Sequence, residues 1–169
     1  APWLMFVGGA GGGSGDVPAA VTRLPKDVAI LVPRGSQIML QSHYINPGTE
    51  PAFQTDIVNL HTVEASPSLS SAAPWAINES SFQIQPGRTF HTEATCSADR
   101  ASNILTVLGH THQWGVNFEL WLTQQGEERL IYKQVGAGAQ LQRDPPIMNF
   151  PVDAPLRVEK GDRFRMVCE

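Results

Sequence analysis

Two histidines one residue apart, His110 and His112, are the residues whose type and spacing offer chemistry most directly. They lie in Asn103 to Leu122, NILTVLGHTHQWGVNFELWL. Read as a strand, the period of two puts Ile104, Thr106, Leu108, His110 and His112 on one face, with the two imidazoles about 7 Å apart along it. Neutral imidazole is the commonest protein ligand for zinc, copper and iron, so the pair is a two-point claw. Two ligands do not complete a site, and on the residues alone a metal-free, hydrogen-bonded pair on a half-buried strand remains the alternative.

The other histidines stand singly. His43 shares a face with Met39, Gln41 and Ile45, His61 with Ile57, Asn59 and Val63, and His91 with Glu93 and Thr95. Each by itself reads as a structural or surface residue. His110, His112 and then Glu119, with Gly126 beyond, follow the ligand order of single-metal cupin-like enzymes. That reading requires the chain to turn at Gly115 and bring Glu119 back to the pair. Trp114 and Trp121 read as packing residues, although Trp114 is close enough to His112 in sequence to wall a pocket.

The elements that must position these residues are short strands. They are expected at Val28 to Val32 and Gln37 to Asn46, joined as a hairpin through Pro33-Arg34-Gly35-Ser36, and at Asp56 to Glu64, Ser81 to Gln85 and Thr89 to Cys96. Further strands are expected at Ile104 to His112, Val116 to Thr123, Arg129 to Val135, Leu156 to Val158 and Arg163 to Cys168. Turn signals separate them, among them Gln85-Pro86-Gly87-Arg88, Gln125-Gly126-Glu127 and Lys160-Gly161-Asp162. No segment keeps a helical period over three turns. The pattern predicts an all-β fold, a sandwich or a barrel, and the alternation favours antiparallel sheets.

With 169 residues, 41% hydrophobic and 17% charged, the chain has enough material for one ordinary domain with a core. A net charge of -4 without a basic cluster argues against nucleic acid as a partner, and no apolar run is long enough for a membrane span. The Gly-rich run Gly8 to Gly15 reads as a flexible loop; it lacks the Gly-Lys-Ser/Thr ending and following helix of a phosphate loop. Cys96 and Cys168 form no Cys-x-x-Cys motif; they are left to pair with each other, as a disulfide, or with partners outside the chain. The opening without Met and the close on Arg163 to Glu169, in mid-strand, suggest a fragment of a longer protein.

In order along the chain stand Arg23-Leu24-Pro25-Lys26, Leu40-Gln41-Ser42-His43-Tyr44, Pro86-Gly87, Cys96, His110-Thr111-His112 and Gly161-Asp162 before Cys168. This set resembles the copper type II, ascorbate-dependent monooxygenases, the family of peptidylglycine α-hydroxylating monooxygenase and dopamine β-hydroxylase. The resemblance runs from about Arg23 to Glu169 and rests on the order and spacing of individually weak motifs.

The resemblance implies two jelly-roll-like sandwiches facing a solvent-filled cleft, with one copper on each. Residues 1–47 would then be the C-terminal end of the first sandwich and residues 50–169 the second, truncated at its C-terminus. His43 would be the third histidine of the first copper, with Gln41 behind it to orient the ring. His110 and His112 would hold the second copper, completed by a Met of a Glu-Met-Cys motif beyond Glu169. The reaction implied is hydroxylation of an aliphatic C–H bond with O₂ and ascorbate, on a small-molecule or peptide substrate, in an extracellular, periplasmic or secretory setting. The chain alone, with three of six protein ligands, is expected to be inactive. In peptide-specific members an Arg two residues before the His-x-His pair helps hold a substrate carboxylate; Leu108 stands there, so a peptide ending in free glycine does not suit this chain.

Overall fold

The computed structural model describes residues 23–40, 46, 48–51, 53, 55, 57–112, 114–136 and 145–169. Among the described residues there is no helix. The strands are β1 (Val28–Ile30), β2 (Ser70–Ala72), β3 (Thr92–Ser97), β4 (Ser102–Ile104), β5 (Thr106–Leu108), β6 (Asn117–Gln124), β7 (Glu127–Val135), β8 (Ile147–Asn149), β9 (Leu156–Val158) and β10 (Arg163–Cys168). The all-β expectation holds.

The longest alternating stretch of the sequence forms the centre. β6 and β7 are joined at Gln125 and Gly126, whose φ values of 51° and 86° match a two-residue turn with both central residues left-handed. Such a turn follows the right-handed twist of its strands, and here it launches an antiparallel ladder from Gln124–Glu127 to Asn117–Val135. β10 lies on the other side of β6, and β3 beyond it, giving a four-stranded antiparallel sheet in the order β3-β10-β6-β7.

Register decides which side chains meet. Phe118, Leu120 and Leu122 of β6 face Cys168, Met166 and Phe164 of β10, and so share one side of the sheet with them. Onto that side folds a second layer. β4 and β5 are one strand interrupted at Leu105, and they pair antiparallel with β9 and β8 respectively. The Phe150 N–H donates to the Leu105 carbonyl, at 2.8 Å, and bridges the interruption. Val107 then packs with Phe118, Tyr132 and Met166, and Leu156 and Val158 pack with Leu122 and Phe164. Two antiparallel layers around one apolar core make this unit sandwich-like.

The opposite side of the sheet is polar. Glu119 accepts from Lys133 Nζ at 2.7 Å and from Trp121 Nε1 at 2.9 Å. Arg165 donates twice to Glu128, at 2.9 and 2.6 Å, and lies 5.3 Å from the centre of the Trp121 ring. The bond from Lys133, and next that from Trp121, hold the Glu119 carboxyl below its ordinary range, and Arg165 does the same for Glu128. A carboxyl with a lowered folded pKa stabilises the fold above its unfolded pKa, near 4.5, and loses that contribution as pH falls through the folded value. The urea midpoint is therefore expected to fall between pH 7 and pH 3. In Lys133→Met the fall is smaller, because Glu119 has lost its first partner. Equal falls in both proteins would remove Glu119 from the acid response.

By its contacts the chain divides into Leu24–Ala73 and a unit that includes Pro74–Glu169. In the smaller unit β1 and β2 pair parallel, with the Ser70 N–H donating to the Asp27 carbonyl at 2.8 Å. The break at Pro47 to Pro51 lies within this unit.

Several strand expectations change. Val28 to Val32 and Gln37 to Asn46 do not form the expected hairpin in the described residues: Pro33 to Ser36 makes its turn, but 37–40 are not a strand and β1 takes β2 as partner. The described parts of Asp56 to Glu64, and Ser81 to Gln85, likewise form no strand. Alternation reports extended backbone, whereas a strand also needs a partner at ladder distance. β8 goes the other way: it lies outside every expected strand, and its Met148 pairs with Val107. The disulfide between the two cysteines is also corrected. Cys96 faces Phe164 while Cys168 faces Thr92, four positions along the ladder. That separates them by about 13 Å, well beyond the roughly 7 Å between Cα atoms that a disulfide spans. Both are free thiols.

Candidate metal centre

The segment carrying His110 and His112 connects the two layers. It leaves β5 at Leu108 in one layer and enters β6 at Asn117 in the other. The expectation that the histidines sit on a hydrogen-bonded strand is corrected, because the ladder ends at the Leu108–Ile147 pair. The period of two nevertheless continues past the ladder. Thr106, Leu108, His110 and His112 are exposed, while Val107 and Gly109 are buried and Thr111 is half-buried.

Two close approaches hold the segment in that course. Gly109 lies flat against the Phe118 ring, and a Cβ placed on it would stand 2.7 Å from Cε1 of that ring. Gly115 lies against Thr111, where an added Cβ would meet the hydroxyl oxygen at 2.6 Å. The Gly115 N–H also donates to the His112 carbonyl oxygen at 2.9 Å, closing a turn that carries Trp114, 79% exposed. Inward residues are thus pinned to the core edge, and outward ones are left to solvent.

The His110 and His112 rings stand 5.5 Å apart between centroids and nearly perpendicular, at 81°. With a metal–nitrogen bond of about 2.0 Å, two imidazoles on one ion have centroids roughly 4.4 to 6.2 Å apart. The observed separation lies inside that window. Partial burial, and next the His112 imidazole, lower the pKa of His110 and favour its neutral, ligating form.

The remaining expected ligands fall elsewhere or outside. His43 and Gln41 lie outside the described residues. Among the described residues no three His, Cys, Asp or Glu side chains are gathered about one point. Glu119, the third ligand of the cupin-like order, is committed on the polar side of the sheet to Lys133 and Trp121. His91 is hydrogen-bonded to Glu93 at 3.0 Å on the surface, and His61 is exposed.

Two supports of the site are not apparent from motif reading. Phe118 is the floor under Gly109 and packs edge-on against Tyr132, with centroids 5.9 Å apart. The Tyr132 hydroxyl in turn donates to the Pro146 carbonyl oxygen at 2.7 Å, fixing the start of β8 beside β5. The sequence signal for the first was available: a glycine immediately before a ligand marks a place where something approaches the backbone.

Comparison with known protein families, with characterised proteins and with solved structures gives no match to this chain.

Proposed function

We propose that this chain belongs to a copper-dependent monooxygenase that hydroxylates an aliphatic C–H bond with O₂, ascorbate being the reductant. The observation that carries the reading is the pair of exposed imidazoles 5.5 Å apart on a segment pinned from behind by Phe118 and Thr111. His110 and His112 are the residues that would hold the ion. Copper in a site of two imidazoles and one thioether supplies one-electron redox change, since soft sulfur favours the reduced state while nitrogen holds both, and it leaves a position for O₂.

In the overall reaction one oxygen atom enters the C–H bond and the other leaves as water, with two electrons drawn from ascorbate. The chain's own contribution would be to hold the backbone that carries the two imidazoles and to leave their outward side open. The course of β10 supports a third ligand from beyond Glu169. Glu169 exchanges hydrogen bonds with Asn117 and accepts one from Val116, which sets the end of β10 beside the connection that carries the two histidines. The donor set containing His43 would form the partner copper site that relays the second electron, with Gln41 orienting His43.

The test is metal analysis and copper titration of the purified chain, followed by the same chain with its flanking segments restored. The 169-residue chain should bind copper without turnover, and the restored protein should hydroxylate in an ascorbate- and O₂-dependent way. Turnover by the chain alone, or a preference for zinc or iron over copper, would sink this assignment. A metal-free protein would point instead to a binding or structural sandwich.

A further inference from the structure

Asn78 alone of the chain's six asparagines is followed two residues later by Ser or Thr, in Asn78-Glu79-Ser80. With a residue other than Pro between them, that triplet is the acceptor pattern for an N-linked sugar. A pattern this short also arises by chance, so its place in the fold decides what it can do.

The triplet lies between β2 and β3 on backbone that is neither strand nor helix, whereas Asn103, Asn117 and Asn149 are held in ladders. Just before it, Trp75 meets the Phe164 ring edge-on, with centroids 5.0 Å apart, and Ile77 packs against both clusters of the core. Core contact therefore holds Ile77 inward, while Asn78 and Ser80 are exposed and Glu79 between them is half-buried. The Glu79 carboxylate accepts the Ser81 N–H at 2.5 Å, which turns the middle side chain back onto its own backbone.

Asn46 shows the ordinary use of a loop asparagine. Its Nδ2 donates to the Glu50 carbonyl oxygen at 2.9 Å, and its Oδ1 accepts the Gly48 N–H at 3.0 Å. Among the described residues no such bond engages the Asn78 amide or the Ser80 hydroxyl. An attached oligosaccharide is bulky and hydrated, so it needs a side chain that points into solvent from a loop. Asn78 meets that requirement without disturbing Ile77 behind it.

We propose that Asn78 is a glycosylation site, its side-chain nitrogen carrying an oligosaccharide taken from a lipid diphosphate donor. In the transfer a bond forms between Nδ2 and the anomeric carbon of the first sugar. The bond from that carbon to the diphosphate oxygen breaks, the lipid diphosphate leaves with the electron pair, and Nδ2 gives up one proton. No oxidation or reduction is involved. The inference rests on the secretory setting that goes with the proposed function, but not on the metal, so the two readings separate by experiment.

The chain is expressed behind a secretory leader in eukaryotic cells, and the secreted protein is compared before and after treatment with peptide N-glycosidase. A single downward step in apparent mass is expected, with the amide at position 78 converted to an acid in the peptide that carries it. Asn78→Gln and Ser80→Ala should each abolish the step, and Ser80→Thr should keep it. Both positions are exposed, so these variants keep the fold. Copper is titrated into the same samples. Secreted protein that shows no step, or a step that survives Asn78→Gln, overturns the site, as does a glycan confined to chains retained in the cell. The step in a protein that takes no copper removes the metal reading and leaves the sugar standing. Copper binding by a secreted chain bare at Asn78 does the reverse.

Discussion

Replacing His112 by alanine lowers the copper affinity of the chain by more than about 100-fold, and His110→Ala does the same. Loss of a partner behind a ligand already costs 10- to 100-fold, and loss of one of two imidazoles removes a direct bond. The rings are exposed, so both variants keep the fold and the loss reads on the site alone. Competition against a chelator of known affinity measures it. His91→Ala is the control, because that ring is spent on Glu93 at 3.0 Å, and its affinity should equal that of the parent. A fall below about tenfold in both His110→Ala and His112→Ala would move the metal to another place in the chain. The pH dependence follows from the same chemistry: ligation needs neutral imidazole, so affinity falls as acidification protonates His110, whose pKa burial and the neighbouring imidazole hold below the ordinary value.

Phe118→Ala should be the most damaging single change to the sandwich that also reaches the site. The ring is buried, packs with Val107, Tyr132 and Met166, and carries Gly109 on its face. Truncating a buried phenylalanine costs about 3–5 kcal/mol, a large part of the 5–15 kcal/mol that holds a typical domain. Gly109→Ala on its own forces a methyl group into the same ring and costs about 1–3 kcal/mol by overpacking. Together the two should be less damaging than their sum, because the alanine at 109 then occupies space the ring has vacated. A double-mutant cycle by urea denaturation is expected to show at least about 1 kcal/mol of coupling. Additivity within about 0.3 kcal/mol would mean that Phe118 is not the floor beneath the histidines. Copper affinity should follow the Gly109 change, since the ring spacing depends on that contact.

The sequence by itself determines a good deal of this protein. Alternation along Asn117 to Val135, interrupted by Gln125-Gly126, suffices for the central hairpin, because side-chain period and turn chemistry are both local properties. The Lys160-Gly161-Asp162 turn before β10 is local in the same way, with Gly161 at φ 96°. The common direction of His110 and His112 is also legible, since exposure continues to alternate from Thr106 to His112.

What only the tertiary structure decides is who stands opposite whom. β1 pairs with Ser70–Ala72 and, among the described residues, not with the run after Pro33, and Ile147–Asn149 becomes a strand despite the two prolines before it. Neither choice has a local signal, because a ladder forms wherever a partner reaches hydrogen-bonding distance. The same limit applies to the cysteines, kept apart by a register that no spacing in the sequence reveals. It applies above all to the site. The His-x-His spacing names the ligands, but Phe118 under Gly109 is a contact made by packing the two layers together, and Ile147 beside Leu108 is a ladder pair between strands far apart in sequence. Glu119 is the converse case. Its place in the sequence suits a third ligand, and the alternation of β6 turns it to the polar side, where Lys133 and Trp121 hold it. Chemistry at the level of residue type is written along the chain, whereas the relative placement of those residues comes from long-range burial, which has no fixed spacing to read.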